Sequence, residues 1–177
     1  DGRCLVRLVQ AAPTARIHCL DFSAAMLGLA AARLEGAAAR ARVTFECADV
    51  LATSLAPAGY DAVVSLFFLD CFSPAEVTGI VGRIQSALTT DARWLFADFA
   101  LPPRGLARLR ARAWVGLLYI FFRWQTGLPV RALPPSEEII VRAGFQLEES
   151  REFQGGLIRS ALFRRRTDPA GGSLTAA

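Results

Sequence analysis

The fold is decided by residues 60–99, which read YDAVVSLFFLDCFSPAEVTGIVGRIQSALTTDARWLFADF. The apolar run at 62–66 predicts a buried parallel strand. The residues Ser73-Pro74-Ala75-Glu76 supply an N-cap, a proline at the first helical position and an early acid, so they predict a helix that continues to about Leu88. A second apolar run at 92–99 predicts the next strand. A strand, a helix and a second strand in this order predict a parallel sheet covered by helices.

The same alternation continues on both sides of this stretch. Upstream, the pattern predicts a helix at 3–12, a strand at 15–20, a helix that begins after Ser23 and closes at Gly36, and a strand at 42–47. Downstream it predicts a helical stretch at 104–124, a short helix at 136–143, and two strands at 145–153 and 157–165 that turn at Gly155-Gly156. We therefore predict an α/β, doubly wound, mostly parallel sheet whose last strand is made antiparallel by a closing hairpin.

Length and composition favour one folded domain. The chain has 177 residues, of which 53% are hydrophobic and 20% charged, and this excludes disorder of the whole chain. We predict a single domain over 1–166 and a disordered tail over 167–177, which is rich in Gly, Ala and small polar residues. The longest uncharged apolar run, 113–122, is about half of the ~20 residues that span a bilayer.

Compartment and metal chemistry follow from the rarer residues. No segment at the start reads as an export signal, so we expect a cytoplasmic protein. The cysteines are irregularly spaced and the chain has one histidine, His18, so we expect neither a metal site nor a disulfide framework.

The charge pattern does not favour nucleic acid as a partner. The net charge is +4, but all twenty basic residues are arginine and the chain has no Lys or Asn. A GC-rich gene explains this bias better than phosphate recognition does, and most of the arginines are scattered.

Acidic residues follow most of the predicted strands. In an open α/β sheet, ligands bind outside the carboxyl ends of the strands. The residues at those positions are Asp1-Gly2, Asp21-Phe22, Asp49-Val50, Phe67 to Cys71, and Asp98-Phe99. Each Asp alone is also a common turn former and cap. However, Gly2 opens a helix and Asp21 follows 19 positions later, close to the ~20 expected for an acid that binds a ribose.

Four segments in order resemble the class I S-adenosylmethionine-dependent methyltransferases. They are Asp21 to Leu27, Glu46 to Val50, Tyr60 to Ser65, and Leu88 to Leu95, and the resemblance covers the chain from Asp1 to about Arg166. It implies a Rossmann-like fold and S-adenosylmethionine as cofactor. It also implies that Gly2 lies beneath the methionine moiety, Asp21 holds the ribose, Phe22 covers an adenine face, and Asp49 with Val50 meets the adenine edge. Asp1 and Phe67 complete the implied cofactor-binding set.

The chain also departs from the family pattern. The first strand and most of the glycine-rich loop are expected upstream of Asp1. Where many relatives have two histidines, this chain has Asp70-Cys71, and where they have a Gly-Gly turn it has Thr90-Asp91. Asp70 is our candidate for the base that takes the acceptor's proton or for the residue that orients the acceptor; a helix cap or a loop hydrogen bond is the alternative.

Other residues near these positions have weaker claims. Asp98 is a second catalytic candidate with the same ambiguity as Asp70. Cys71 is expected to be a buried small residue rather than a nucleophile, and His18 to have a core or surface role.

The stretch 104–124 bears on the acceptor. Arg104, Arg108 and Arg112 share one helix face, and the following turns are strongly apolar. This helix either covers the sheet, or forms a lid over an apolar acceptor or a patch that contacts an anionic membrane surface.

We predict methyl transfer to a small or lipophilic molecule. A non-catalytic binding module with the same fold is the alternative. A nicotinamide-dependent oxidoreductase is disfavoured because the chain has no Tyr-x-x-x-Lys pair. The acceptor atom and the oligomeric state are not encoded in any recognisable motif.

Overall fold

A computed structural model describes residues 2–102, Gly116 and 133–166. Its helices are α1 (Arg3–Ala11), α2 (Ala24–Ala32), α3 (Ala37–Arg40), α4 (Pro74–Ala87) and α5 (Ser136–Arg142). Its strands are β1 (Ile17–Asp21), β2 (Val43–Cys47), β3 (Tyr60–Leu66), β4 (Leu88–Phe99), β5 (Phe145–Phe153) and β6 (Ile158–Arg165). Short 3₁₀ turns occupy Leu69–Cys71 and Gln154–Gly156. The predicted helix at 104–124, apart from Gly116, and the predicted tail at 167–177 lie outside the described residues.

The chain divides into two compact units, residues 1–54 and 55–177. In the first unit β1 and β2 pair in parallel, from Ile17 opposite Val43 to Asp21 opposite Cys47. Apolar residues from α1, α2 and β2 form its core, namely Leu5, Val9, Ala30, Leu34 and Val43. The Arg42 guanidinium donates hydrogen bonds to the carbonyls of Val9, Ala12 and Ala15, so it satisfies carbonyls at and after the end of α1.

The second unit contains a four-stranded sheet with the order β3-β4-β6-β5. β3 and β4 are parallel, while β6 is antiparallel to both β4 and β5. The parallel pairs, their helices and the closing hairpin confirm the predicted α/β class.

The helix between β3 and β4 begins as the sequence predicts. The Ser73 hydroxyl accepts a hydrogen bond from the Glu76 amide, and the Glu76 carboxylate accepts one from the Ser73 amide, so a capping box closes the start of α4. These hydrogen bonds hold the pKa of Glu76 below its usual value. The side chains of Ser73 and Glu76 therefore supply hydrogen-bond acceptors to backbone amides at the start of α4.

Every second residue of β4 is buried, and these residues form the core of the unit. Trp94 is fully buried against Phe145, with ring centroids 5.4 Å apart, and its Nε1 donates to the Ser65 hydroxyl at 2.8 Å. The Gln85 amide of α4 donates to the Ala143 carbonyl at 2.6 Å, which ties α4 to the end of α5. The next inward position of β4 after Phe96 is Asp98, so the strand carries an acid into a buried environment.

The structure differs from the expected elements in three places. β4 begins at Leu88, directly after α4, so residues 89–91 are strand rather than a turn. β3 is mostly half-buried or exposed rather than buried, because it lies at the edge of its sheet. The helix α2 ends at Ala32, before Gly36, and the short helix α3 was not expected. Within the described ranges, every helix is too short or too polar to cross a membrane.

Candidate functional site

In the first unit, the ends of β1 and β2 lie side by side. Asp21 and Cys47 are the last residues of the two strands and are paired, and the Ala48 amide donates to the Asp21 carbonyl at 3.1 Å. Asp49 and Val50 therefore follow directly at the same edge of the sheet as Asp21. This is the arrangement that a parallel pair gives when each strand ends in a turn.

The Asp21 carboxylate organises the turn into α2. Its Oδ1 accepts a hydrogen bond from the Ser23 amide at 2.8 Å, and the Ser23 hydroxyl in turn caps α2 at the Met26 amide. Among the hydrogen bonds between described residues, none is directed to Oδ2. One oxygen of the carboxylate is thus fixed by the turn into α2.

Phe22 follows Asp21 and is 80% exposed, which is unusual for so large an apolar side chain. Asp49 is exposed as well, and its Oδ1 accepts from the Leu51 amide at 2.8 Å, while Val50 is half-buried. An exposed ring between two carboxylate-bearing strand ends is suited to the face of a planar ligand.

Gly2 precedes α1 with a left-handed backbone, at φ +79°. A Cβ added at this position would lie 2.5 Å from the Ala30 Cα, so the backbone of Gly2 approaches α2 more closely than any other residue type allows. Close packing against Ala30 therefore favours glycine here, and the expected role of Gly2 beneath the methionine moiety stays a prediction. Asp1 lies outside the described residues.

In the second unit, the turn after β3 is unusual at Phe67. Its φ is +51°, a left-handed conformation that costs a non-glycine residue roughly 1–3 kcal/mol. Its amide donates to the Ala97 carbonyl at 2.7 Å, and its ring lies 5.2 Å from the Phe99 ring. The next amide, of Phe68, donates to Asp98 Oδ1 at 2.9 Å. Backbone and side chain of β4 together hold this turn.

The two catalytic candidates, Asp70 and Asp98, form a buried pair. Asp70 is 8% exposed and Asp98 4% exposed, and their carboxyl groups hydrogen-bond each other. Burial, together with the charge of Asp70, raises the pKa of Asp98 to about 8, and burial also raises the pKa of Asp70. Asp98 consequently keeps its proton in neutral solution.

Cys71 and His18 have other roles. The Cys71 thiol donates to Asp70 Oδ1 at 3.6 Å, and burial with the neighbouring Asp70 raises its pKa to about 12, so it stays a thiol rather than a nucleophilic thiolate. His18 Nε2 lies 2.8 Å from Glu46 Oε2 across β1 and β2. No group of three or more potential metal ligands occurs among the residues that the structure describes.

The acid pair lines a cavity of about 530 Å³, a size suited to a small molecule. Its walls are mainly apolar, formed by Phe96, Phe99, Ala100, Leu101, Leu133, Pro134 and Pro135, and Ser136, Glu137, Glu138 and Arg159 complete it. Arg159 lies opposite Asp98 in the β4–β6 pairing and forms ion pairs with Glu137 and Glu152. The cavity therefore offers apolar walls with a proton-accepting group.

The predicted site residues fall into two sets. Gly2, Asp21, Phe22, Asp49 and Val50 lie in the first unit, while Phe67, Asp70 and Asp98 are brought together in the second. Sequence reasoning missed Arg159 and the wall at 133–138. Arg159 could be recognised as a neighbour of Asp98 only once the antiparallel register of β4 and β6 was known, because that register places the two residues opposite each other.

The first unit has an α/β fold with an acid at the strand end where many proteins bind a ribose, and the second unit has a cavity beside an acid pair. These features are typical of proteins that bind a nucleotide cofactor. Residues 1–91 match the family described as "Methyltransferase domain", so the chain belongs to this family. The predicted family is thereby confirmed. No curated protein sequence matches the chain.

Solved structures share the fold. The mitomycin 7-O-methyltransferase MmcR is 23% identical with a TM-score of 0.70, and the match covers 93% of this chain and 46% of MmcR. An S-adenosylmethionine-dependent methyltransferase from Mesorhizobium loti is 16% identical with a TM-score of 0.66, covering 91% of this chain and 85% of that one. A protein described as a pericyclic reaction enzyme is 19% identical with a TM-score of 0.68, covering 93% and 40%.

These likenesses confirm the Rossmann-like fold class. The chain spans about half the length of the first solved structures that it matches.

Proposed function

We propose that the protein transfers the methyl group of S-adenosylmethionine to a small or lipophilic acceptor. The observation that carries this proposal is the strand end at Asp21-Phe22, in a chain of the methyltransferase-domain family. There a fixed carboxylate has one oxygen directed to no described residue, and an exposed aromatic ring follows it. A ribose diol and an adenine face are the groups that such neighbours bind.

The residues present fit this cofactor. Asp21 Oδ2 would accept from the ribose hydroxyls, Phe22 would cover the adenine, and Asp49 with Val50 would meet its edge. Gly2 would let the backbone approach the methionine moiety, and Phe67 is a further residue of the proposed cofactor-binding set. When bound, the cofactor supplies an electrophilic methyl group on a positively charged sulfur.

The acceptor would bind in the cavity beside Asp70. Its mostly apolar walls favour a lipophilic body, and Asp70 lies beside that body. For a hydroxyl acceptor, Asp70 would take the hydroxyl proton, so that the acceptor oxygen could receive the methyl group that the bound cofactor would supply. Asp70 is thus proposed as the base and as the residue that orients the acceptor.

Thermal unfolding of the full-length protein with S-adenosylhomocysteine tests cofactor binding. A ligand at a hundredfold excess over its Kd stabilises by about 2.7 kcal/mol. For a domain of this size, that corresponds to a rise of roughly 5–10 °C in Tm. NAD serves as the control ligand, because a shift with NAD alone would favour the oxidoreductase.

Matched variants locate the effect. Asp21→Asn should lose most of the shift, because the amide nitrogen cannot accept from a ribose hydroxyl. Asp61→Asn removes the same charge from an exposed position of β3 and should keep the shift. A shift that survives Asp21→Asn unchanged contradicts the proposed ribose contact.

A binding module or a different reaction is the second candidate. It is favoured by one observation: the fold is shared with a protein described as a pericyclic reaction enzyme. The fold therefore does not by itself require methyl transfer. Incubation with methyl-labelled S-adenosylmethionine and a small-molecule extract distinguishes these candidates. A methyltransferase transfers the label to a component of the extract. A binding module binds the cofactor but yields no labelled product.

A further inference from the structure

Asp98 makes two contacts with the segment that follows β3. Its Oδ1 accepts the hydrogen bond of the Phe68 amide at 2.9 Å, and its carboxyl group is bonded to the carboxyl of Asp70. The first contact holds the main chain of the turn after β3. The second reaches the acid at the end of the same turn, in the 3₁₀ turn Leu69–Cys71. One side chain of β4 therefore holds both the backbone and the acid of this segment.

The turn needs this support because its conformation is unfavourable. Phe67 has φ +51°, and a phenylalanine adopts such a backbone only when its surroundings enforce it. Two hydrogen bonds from consecutive amides to β4, at Ala97 and Asp98, are the enforcing contacts. If the Asp98 contact were lost, only the hydrogen bond to Ala97 and the ring contact with Phe99 would remain, of the contacts named here, to hold Phe67 in this conformation.

Asp98 is poorly placed to meet an acceptor itself. It is 4% exposed, one of its oxygens is used by the Phe68 amide, and the carboxyl is bonded to Asp70. A base needs a lone pair that can reach the reacting proton. Both acids line the cavity, but Asp70 is the more exposed of the two and does not hold the Phe68 amide, so the role of the base falls to Asp70.

We propose that Asp98 is a positioning residue, which fixes the turn at 67–71 and, through a hydrogen bond to the Asp70 carboxyl group, holds that group toward the cavity. This inference rests on the proposed function, since it assigns how the proposed base is held. It separates two acids that the sequence treats as equivalent candidates.

The test compares Asp98→Asn with Asp98→Ala. Asparagine keeps an oxygen for the Phe68 amide and a donor for Asp70 but has no titratable proton, whereas alanine has neither group. Both variants are labelled with ¹³C-aspartate, and the carboxyl resonances are followed by NMR from pH 4 to pH 10. Amide hydrogen exchange at Phe68 reports the turn, and Asp61→Asn is the matched control.

The expected result has three parts. The titration step at high pH present in the wild type disappears in both Asp98 variants and persists in Asp61→Asn. The Asp70 midpoint is higher in Asp98→Ala than in Asp98→Asn, because the buried carboxylate then lacks its donor. Phe68 amide exchange is tenfold or more faster in Asp98→Ala and near the wild-type rate in Asp98→Asn, which is rescue by the near-isosteric residue.

Two results would overturn the proposal. One is an Asp70 titration that is the same in wild type and both Asp98 variants. The other is a Phe68 amide that exchanges at one rate in all of them. These readouts need no cofactor, so absence of an S-adenosylhomocysteine shift would contradict the proposed function alone, and an unaltered Asp70 titration would contradict this proposal alone.

Discussion

At the scale of single residues, burial decides the chemistry of the acids in this chain. Asp21 and Asp49 lie at solvent-accessible strand ends, where each fixes one local amide. Asp70 and Asp98 are buried within one hydrogen bond of each other and share a proton. The same residue type is thus solvent-accessible at the strand ends of one unit and buried in a hydrogen-bonded pair in the other.

Asp98 makes stability depend on pH. Its pKa is raised to about 8 in the folded protein, so its contribution is present below the unfolded value near 3.8 and is lost as pH rises through about 8. Between pH 6 and pH 9 the free energy of unfolding should fall by about 3 kcal/mol from this group. Asp98→Asn should flatten that fall, as measured by denaturant unfolding at several pH values. If the pH curves of the free energy of unfolding are parallel for wild type and Asp98→Asn, the prediction is contradicted. The curve of the control variant Asp61→Asn is expected to be parallel to that of the wild type.

Phe22 should contribute to cofactor binding without contributing to stability. Because the ring is 80% exposed, Phe22→Ala is expected to leave Tm nearly unchanged. Loss of a stacking ring should weaken S-adenosylhomocysteine binding by about tenfold, since such contacts are worth about 0.5–1.5 kcal/mol beyond buried area. Isothermal titration calorimetry measures the change. Leu29→Ala, which truncates a 54% exposed side chain of α2, is the matched control and should bind like the wild type.

At the scale of elements, turns rather than strands carry the site. The strands follow the apolar patterns, and within each parallel pair the two carboxyl ends lie at the same edge. The conformations that matter lie just beyond them, at the left-handed Gly2 and Phe67. Each is held by a neighbouring element, α2 in the first case and β4 in the second.

Gly2→Ala should destabilise the first unit. The added Cβ would meet the Ala30 Cα at 2.5 Å, and alanine is strained at φ +79°, so we expect a loss of about 2 kcal/mol or more. Gly28→Ala adds the same methyl group within α2 where nothing lies within 4 Å, and it should be neutral or stabilising by up to about 1 kcal/mol. Thermal unfolding of both variants checks the pair. Equal midpoints would show that the close approach at Gly2 is not required.

At the scale of the whole molecule, the fold and family are established, and partners and location remain predictions. A small-molecule acceptor, a cytoplasmic location and membrane contact through 104–124 belong to that second group. The membrane prediction rests on sequence alone, on three arginines spaced four apart and followed by an apolar run.

Flotation with vesicles tests the membrane contact. If the segment binds an anionic surface, the protein should float with phosphatidylserine-containing vesicles at low salt and be released at about 0.5 M salt, where the Debye length is only a few ångströms. Neutral vesicles are the control. Protein that stays in solution with anionic vesicles at low salt would leave the segment with its alternative role as a cover of the sheet or a lid.

The sequence by itself determined the class of fold, the family and the positions of the strand ends, because apolar periodicity, caps and turn residues are local signals. The capping box of α4 and the turn at Gly155-Gly156 are read directly from neighbouring residues. The sequence could name Asp70 and Asp98 as catalytic candidates but could not rank them.

Only the tertiary structure decided how those two acids differ. Their separation in the chain is long, and the Phe68 amide, the β4 register and the burial around Asp98 bring them into one hydrogen-bonded pair. The same holds for Arg159, which faces Asp98 only through the antiparallel pairing of β4 and β6. Burial and cross-strand neighbours are set by non-local packing, and they, rather than residue type, determine which acid holds a proton at neutral pH.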